Sequence, residues 1–449
     1  MAAELDGAGL GLFWIVPFAG MLLSIAVMPL VALRIWHHHY GKIAVAWALL
    51  TLLPLAAMYG PRAAADLALH TLLLEYLPFI IFIGTLYIVA GGIYLRGNLH
   101  GSPALNTGLL AIGGVLASLM GTTGAAMLLI RPLIRANDNR KYRVHTIIFF
   151  IFIVANIGGS LTPLGDPPLF LGFLKGVSFF WTLEHMLWPM LFLVAILLVV
   201  FYVLDTVLYR RDVALGFKRD PTPENPLRIE GRINFALLGL VVLAVLMSGL
   251  WKTGVEVDVL GQHLALEGMI RDALFIVIAA VSLKVTRQSV RRANEFGWAP
   301  IAEVAKLFLG IFLTMAPVLL MLRAGEAGAF AQLVRVVTDP SGQPVNAAYF
   351  WLTGALSSFL DNAPTYLVFF NLAGGEASTL TTTLAPTLTA ISAGAVFMGA
   401  NTYIGNAPNF MVKAIAEERG IKMPSFFGYM GWSVLILIPL FAIMTWVFF

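Results

Sequence analysis

Apolar runs of about twenty residues, each closed by a short polar or basic loop, follow one another along most of the chain. Runs of that length match the hydrocarbon core of a bilayer, so each predicts a membrane-crossing helix. The first is expected from about Gly9 to Leu33, the second from Ile43 to Tyr59 and the third from Leu72 to Leu95. Between them lie a loop, Ile35–Lys42, carrying His37, His38 and His39, and a short interfacial connection, Pro61–Thr71. Further spans are expected at Met186–Leu208, Ile233–Trp251 and Met269–Leu283, from about Ile301, and at Met430–Phe449.

Four apolar segments break this pattern. Residues 106–134 are interrupted by Gly121-Thr122-Thr123-Gly124, which predicts a re-entrant hairpin of two arms too short to span, with a polar tip. Residues 146–180 hold Asn156 to Leu171, where Gly158, Gly159 and Gly165 loosen a helix and Pro163, Pro167 and Pro168 remove its donors. A broken transmembrane helix is predicted there. The second half of the chain repeats both features. Residues 349–372 are interrupted at Asp361-Asn362-Ala363-Pro364-Thr365, and 388–416 at Asn401 to Asn409. Gly165-Asp166-Pro167-Pro168 is echoed by Gly405-Asn406-Ala407-Pro408 at an offset of 240, and Thr162 by Thr402; the hairpin tips, with Ser118 on Ser357, align at 239. The chain therefore divides into a first repeat (1–209), a hydrophilic linker (210–232) and a second repeat (233–449). Lysine and arginine crowd 34–42, 135–143, 210–232, 284–292 and 413–422, which places these loops in the cytoplasm. On that reading the first hairpin opens to the cytoplasm, the second to the outside, the repeats are inverted, and both termini lie outside.

Composition agrees. Of 449 residues 59% are hydrophobic and 12% charged, against roughly 45–50% and about 25% in soluble domains. The expected fold class is an all-α polytopic membrane protein whose partner is the lipid bilayer. The net charge of +4 belongs to the loops and does not predict nucleic-acid binding. With no cysteine, disulfides and thiolate chemistry are excluded. Glu4 and Asp6 precede a run too long for a signal peptide, so the first span is expected to be retained.

Paired broken helices in matching halves predict the substrate site of a secondary transporter near the bilayer midplane. The candidate ligands are Thr122, Thr123, Asn156, Thr162, Asp166, Asp361, Asn362, Thr365, Asn401 and Asn406. Asp166 and Asp361 are the ionisable pair; no lysine or arginine lies in the four polar stretches Thr122-Thr123, Asn156 to Pro168, Asp361-Asn362 and Asn401 to Asn409, and Arg131 and Lys175 fall near the interfaces. Two acids with hard oxygen neighbours and no fixed cation suit sodium, lithium or a proton. Either acid can instead cap a half-helix. Glu303 and Lys306 are spaced to pair on one helix face. No cofactor is expected, and no nucleophile–base pair or phosphate loop predicts an enzyme.

The motifs S-x-x-x-D-N-x-P, from Ser357 to Pro364, and T-P-L-G-D, from Thr162 to Asp166, resemble the signatures of NhaD-type sodium/proton antiporters. These belong to the ion transporter superfamily, which also holds citrate, dicarboxylate and arsenite carriers. The resemblance implies a homodimer in the inner membrane, with scaffold and moving transport domains working as an elevator. It also implies that Asp166, Asp361 and Asn362 hold a sodium ion and that the two acids couple it to protons. The stretch Tyr403 to Asn409 is similar to anion-carrier relatives, so a cation-coupled citrate or other carboxylate transporter is the alternative.

Overall fold

The computed structural model describes residues 6–216 and 225–449. Lys218 and Arg219 of the linker, and Glu4 at the N-terminus, lie outside these residues. Helices dominate. In the first half they are α1 (Ile15–Val31), α2 (Leu33–Tyr59), α3 (Pro61–His70), a π-helical turn (Thr71–Tyr76), α4 (Leu77–Ala90), α5 (Pro103–Met120), α6 (Thr122–Ala136), α7 (Val144–Ile153), α8 (Pro167–Leu174) and α9 (Phe179–Ala214). The second half has α10 (Ile233–Leu250), α11 (Leu266–Val285), α12 (Gln288–Ala293), α13 (Ala299–Arg323), α14 (Ala331–Val337), α15 (Asn346–Phe359) and α16 (Asn362–Leu372). It ends with α17 (Ala377–Thr381), α18 (Ala385–Met398), α19 (Ala407–Glu418) and α20 (Phe426–Phe448). Eight helical stretches among the described residues are long and apolar enough to cross a membrane. The protein is an all-α, multi-pass membrane protein.

Several boundaries depart from the hydropathy reading. The expected loop at residues 35–42 is the start of α2, because nothing in it breaks a helix and a helix can run on into the interface. There His38 Nδ1 and His39 Nδ1 turn back to the carbonyls of Arg34 and Ile35. Pro61–Thr71 is likewise helical and joins α4 through the π turn, making one stretch, Pro61–Ala90. Arm α5 has eighteen residues and is long enough to span, so the first hairpin is not built from two short arms. Two small antiparallel ribbons were not foreseen: β1 (Tyr94–Asn98) with β2 (Asn225–Glu230), and β3 (Glu256–Val259) with β4 (Gln262–Ala265). Among the described residues no ion pair joins Glu303 to Lys306, whose Nζ lies over the Tyr40 ring, 5.4 Å from its centroid.

Both hairpins form. The base of the first is closed by a reciprocal amide pair: Asn106 Nδ2 donates to Asn137 Oδ1 at 2.9 Å, and Asn137 Nδ2 to Asn106 Oδ1 at 2.8 Å. Its turn is a single residue, Gly121, at φ +82°, a conformation glycine adopts without penalty. In the second, Tyr349 near the start of α15 meets Phe369 near the end of α16, ring centroids 6.4 Å apart.

Each broken helix packs against its hairpin through the same contacts, at one offset of 240. Thr162 Oγ1 donates to the Ser118 carbonyl and Thr402 Oγ1 to the Ser358 carbonyl, both at 2.5 Å. Ser118 Oγ donates to Gly158 O, and Ser358 Oγ to Met398 O. A Cβ on Gly165 would lie 2.0 Å from Gly159 O, and one on Gly405 would lie 2.5 Å from Gly399 O. The hairpin alignment of 239 is thereby corrected. Ser118 answers to Ser358, Thr122 to Asn362, and Gly121 to Asp361.

Candidate functional site

Four half-helices begin at one place. Thr122 is the first residue of α6 and Asn362 the first of α16, while Asp166 and Asn406 immediately precede α8 and α19. Helix N-termini carry partial positive charge, so this arrangement focuses positive potential on the residues between them. The carboxylate of Asp166 occupies that position and is buried. Its Oδ1 accepts from Thr122 Oγ1 at 3.0 Å and from Asn406 Nδ2 at 3.1 Å; its Oδ2 accepts from Asn362 Nδ2. Both hairpins and the second broken helix thus meet on one acid of the first.

The local sequence explains why this carboxylate is available. Asp166 stands at the N-cap position of α8, where an aspartate normally accepts from the amides of the first turn. Here the first two residues of the helix are Pro167 and Pro168, which have no amide to give, and Asp166 makes no side-chain cap. Asp361 behaves differently. It caps α16, accepting from the Ala363 amide at 3.1 Å, and is half-buried one residue before Asn362.

The remaining candidates fall into three groups. Asn156 and Asn406 extend the cluster: Asn406 Nδ2 also reaches Asn156 Oδ1 at 3.3 Å and Ala155 O at 3.1 Å, and Asn156 Nδ2 donates to Ile151 O and to Asn409 Oδ1, both at 2.7 Å. Thr162 and Thr365 use their hydroxyls on backbone carbonyls, of Ser118 and Asp361 respectively, and so act as staples in this conformation. Thr123 is half-buried beside the tip and is not among the groups bonded to Asp166. Asn401 donates to Ser358 Oγ at 2.9 Å. Among the described residues, Asn362 Oδ1 and Asn401 Oδ1 are buried acceptors without a donor, an arrangement that suits a bound cation or water.

A helix break frees backbone carbonyls that intrahelical bonding would otherwise use. Many are occupied by polar side chains: Gly158 O by Ser118, Ala395 O by Ser357, and Gly399 O and Thr402 O by Asn409. Asn409, outside the candidate ligands, is therefore a member of the site; it shares the polar segment of Asn406, one helical turn on. Among the described residues, no lysine or arginine is hydrogen-bonded to Asp166. Arg131 pairs with Glu295, and Lys175 with Glu75. A buried charge cluster went unpredicted: Arg140 contacts Asp205 at 2.7 Å and Asp212 at 3.2 Å, and His145 contacts Asp205 at 2.8 Å. It joins the base of the first hairpin to α9, since Asn106 Nδ2 also donates to Asp205 Oδ2. Its partners are 60 to 72 residues apart, so no local pattern announces it.

No curated protein matches the chain. Residues 7–449, nearly the whole length, match the family described as "Putative citrate transport". Two hairpins and two broken helices meeting on a buried acid, together with that match, identify the chain as a secondary transporter that belongs to this citrate-transport family.

Proposed function

We propose that the protein is a cation-coupled carrier of citrate-class carboxylates. The observation that carries this reading is the bonding of Asp166, whose donors come from α6, α16 and the residue before α19. A cation bound beside Asp166 would take the orphan oxygen of Asn362 as a ligand. The anionic substrate would then meet that cation and the amide-rich starts of α6 and α16, with Thr123 and Thr365 near the tips. Coupling follows, because the carboxylate is attracted only once the acids are neutralised by sodium or a proton. The family match supports citrate as the first substrate to test.

Sodium/proton antiport is the second reading, favoured by one observation: two acids and, among the described residues, no basic side chain hydrogen-bonded at the site. In it Asp166 and Asp361 exchange sodium or lithium for protons, with Asn362 as the third ligand. Under either reading the four half-helices move together as an elevator within a homodimer in the inner membrane. The repeats are then inverted, and both termini lie outside. Proteoliposomes separate the two: uptake of labelled citrate that depends on an inward sodium or proton gradient supports the first. Sodium-driven proton release without citrate uptake replaces it with the second.

A further inference from the structure

Glu295 lies in the short connection between α12 and α13, far from Asp166 in sequence. It follows the C-cap of α12 at φ +52°, and the Phe296 amide closes the turn on Arg291 O at 2.9 Å. That left-handed position ordinarily belongs to glycine, because a Cβ is strained there. A glutamate held in it suggests that the side chain has a task. The carboxylate accepts from Arg131 at 2.6 Å and from Arg419 at 2.8 Å. The loop beneath is fixed to the end of α4: Asn294 Nδ2 donates to Gly91 O and Ile93 O, Arg291 NH1 to Ile88 O, and Tyr87 Oη to Gly297 O.

The two arginines sit on the elements that matter most. Arg131 is on α6, nine residues after Thr122, roughly 14 Å along the helix. Arg419 caps the far end of α19, which starts just after Asn406. Thr122 and Asn406 are the two donors to the same oxygen, Asp166 Oδ1. We propose that Glu295 is a positioning residue for the transport site: from one fixed loop it grips the far ends of α6 and α19, and so holds Thr122 and Asn406 on Asp166. The inference rests on the reading that Asp166 binds the coupling cation. Opening the clasp frees both half-helices to withdraw their donors, and closing it assembles the site.

The test uses the reconstituted full chain with Glu295→Gln, Glu295→Asp and Glu295→Gly. Glu295→Gln should raise the half-saturating sodium concentration for transport roughly fivefold or more, with the maximal rate at high sodium kept. Glu295→Asp, which keeps the charge, should fall between. Glu295→Gly relieves the backbone, so it should melt at or above the wild-type temperature while showing the same loss of sodium affinity; a purely structural residue would lose stability with it. A readout independent of the substrate is thiol labelling of Thr123→Cys in the cysteine-free chain, which should quicken when Glu295→Gln loosens α6. Wild-type sodium dependence in a transporting Glu295→Gln protein overturns the proposal. If the wild type moves neither citrate nor protons, the functional reading has failed instead, and the labelling rate alone decides: an unchanged rate overturns the clasp.

Discussion

Replacing Asp166 by asparagine removes one charge from the centre and changes little else in shape. The carboxylate accepts three hydrogen bonds, two on Oδ1 and one on Oδ2. A carboxamide has only one oxygen, so whichever way it turns, at least one donor faces an N–H group. Bonds to an ionised acceptor contribute about 1.5–3 kcal/mol and neutral ones about 0.5–1.5 kcal/mol, so the cluster loosens by a few kcal/mol. Removing a buried charge also removes its desolvation penalty, which offsets that loss. The melting temperature should therefore stay within a few degrees of wild type. Cation binding has no such offset. Even at a separation of about 4 Å and an effective dielectric of about 20, a carboxylate attracts a monovalent cation by about 4 kcal/mol, near a thousandfold in affinity. In proteoliposomes Asp166→Asn should abolish sodium-dependent citrate uptake, and sodium-dependent proton release if that is the activity. An Asp166→Asn protein whose half-saturating sodium lies within threefold of wild type would refute the assignment of this acid to the coupling cation.

Pro168→Ala creates an amide in the first turn of α8 that Asp166 can cap; it should raise stability by about 1 kcal/mol and slow transport, read by thermal melting beside uptake. If uptake stays at the wild-type rate, the proline pair has no part in keeping the carboxylate free. Gly165→Ala and Gly405→Ala would place a methyl 2.0 Å from Gly159 O and 2.5 Å from Gly399 O, so each should lower the melting temperature and abolish transport; normal melting of either would mean the backbone crossing is not tight. For topology, Lys141→Cys and Ser378→Cys, both at exposed positions, should react with an impermeant maleimide from the cytoplasm and from outside respectively. Labelling of both from one side would remove the inverted arrangement.

Most of the fold was legible because the bilayer leaves few alternatives. Spans must be long and apolar, and an interrupted apolar segment must be a hairpin or a broken helix with its polar groups turned inward. That is why Thr122, Asp166, Asn362 and Asn406 could be named together. What the pattern cannot carry is contact between distant residues and the exact register. Hydropathy has no sensitivity to one residue and is satisfied by a hairpin offset of 239, whereas Thr162 on Ser118 and Thr402 on Ser358 fix it at 240. Helix ends in the interface are equally invisible, since His37 to His39 are as compatible with the start of α2 as with a loop. The Glu295 clasp joins residues 164 and 124 apart, which no local motif records.

The corrected register also changes what the two acids mean. At Asp166 the second repeat has Asn406, and at Asp361 the first has Gly121, so neither acid is matched by an acid. The backbone around each position is repeated, down to the Gly159–Gly165 and Gly399–Gly405 crossings; the charge is not. Asp361 accepts the Ala363 amide of its own helix start. Asp166, denied that role by two prolines, is bonded to the other three segments. The two carboxylates that looked equivalent in sequence therefore divide the work. One ties its hairpin tip, with Asn362 beside it, to the helix start; the other is the point on which both repeats converge. On the proposed function, movement of a cation to or from Asp166 would be felt by every half-helix at once. That common dependence is what a carrier needs if its four separate segments are to move as one body.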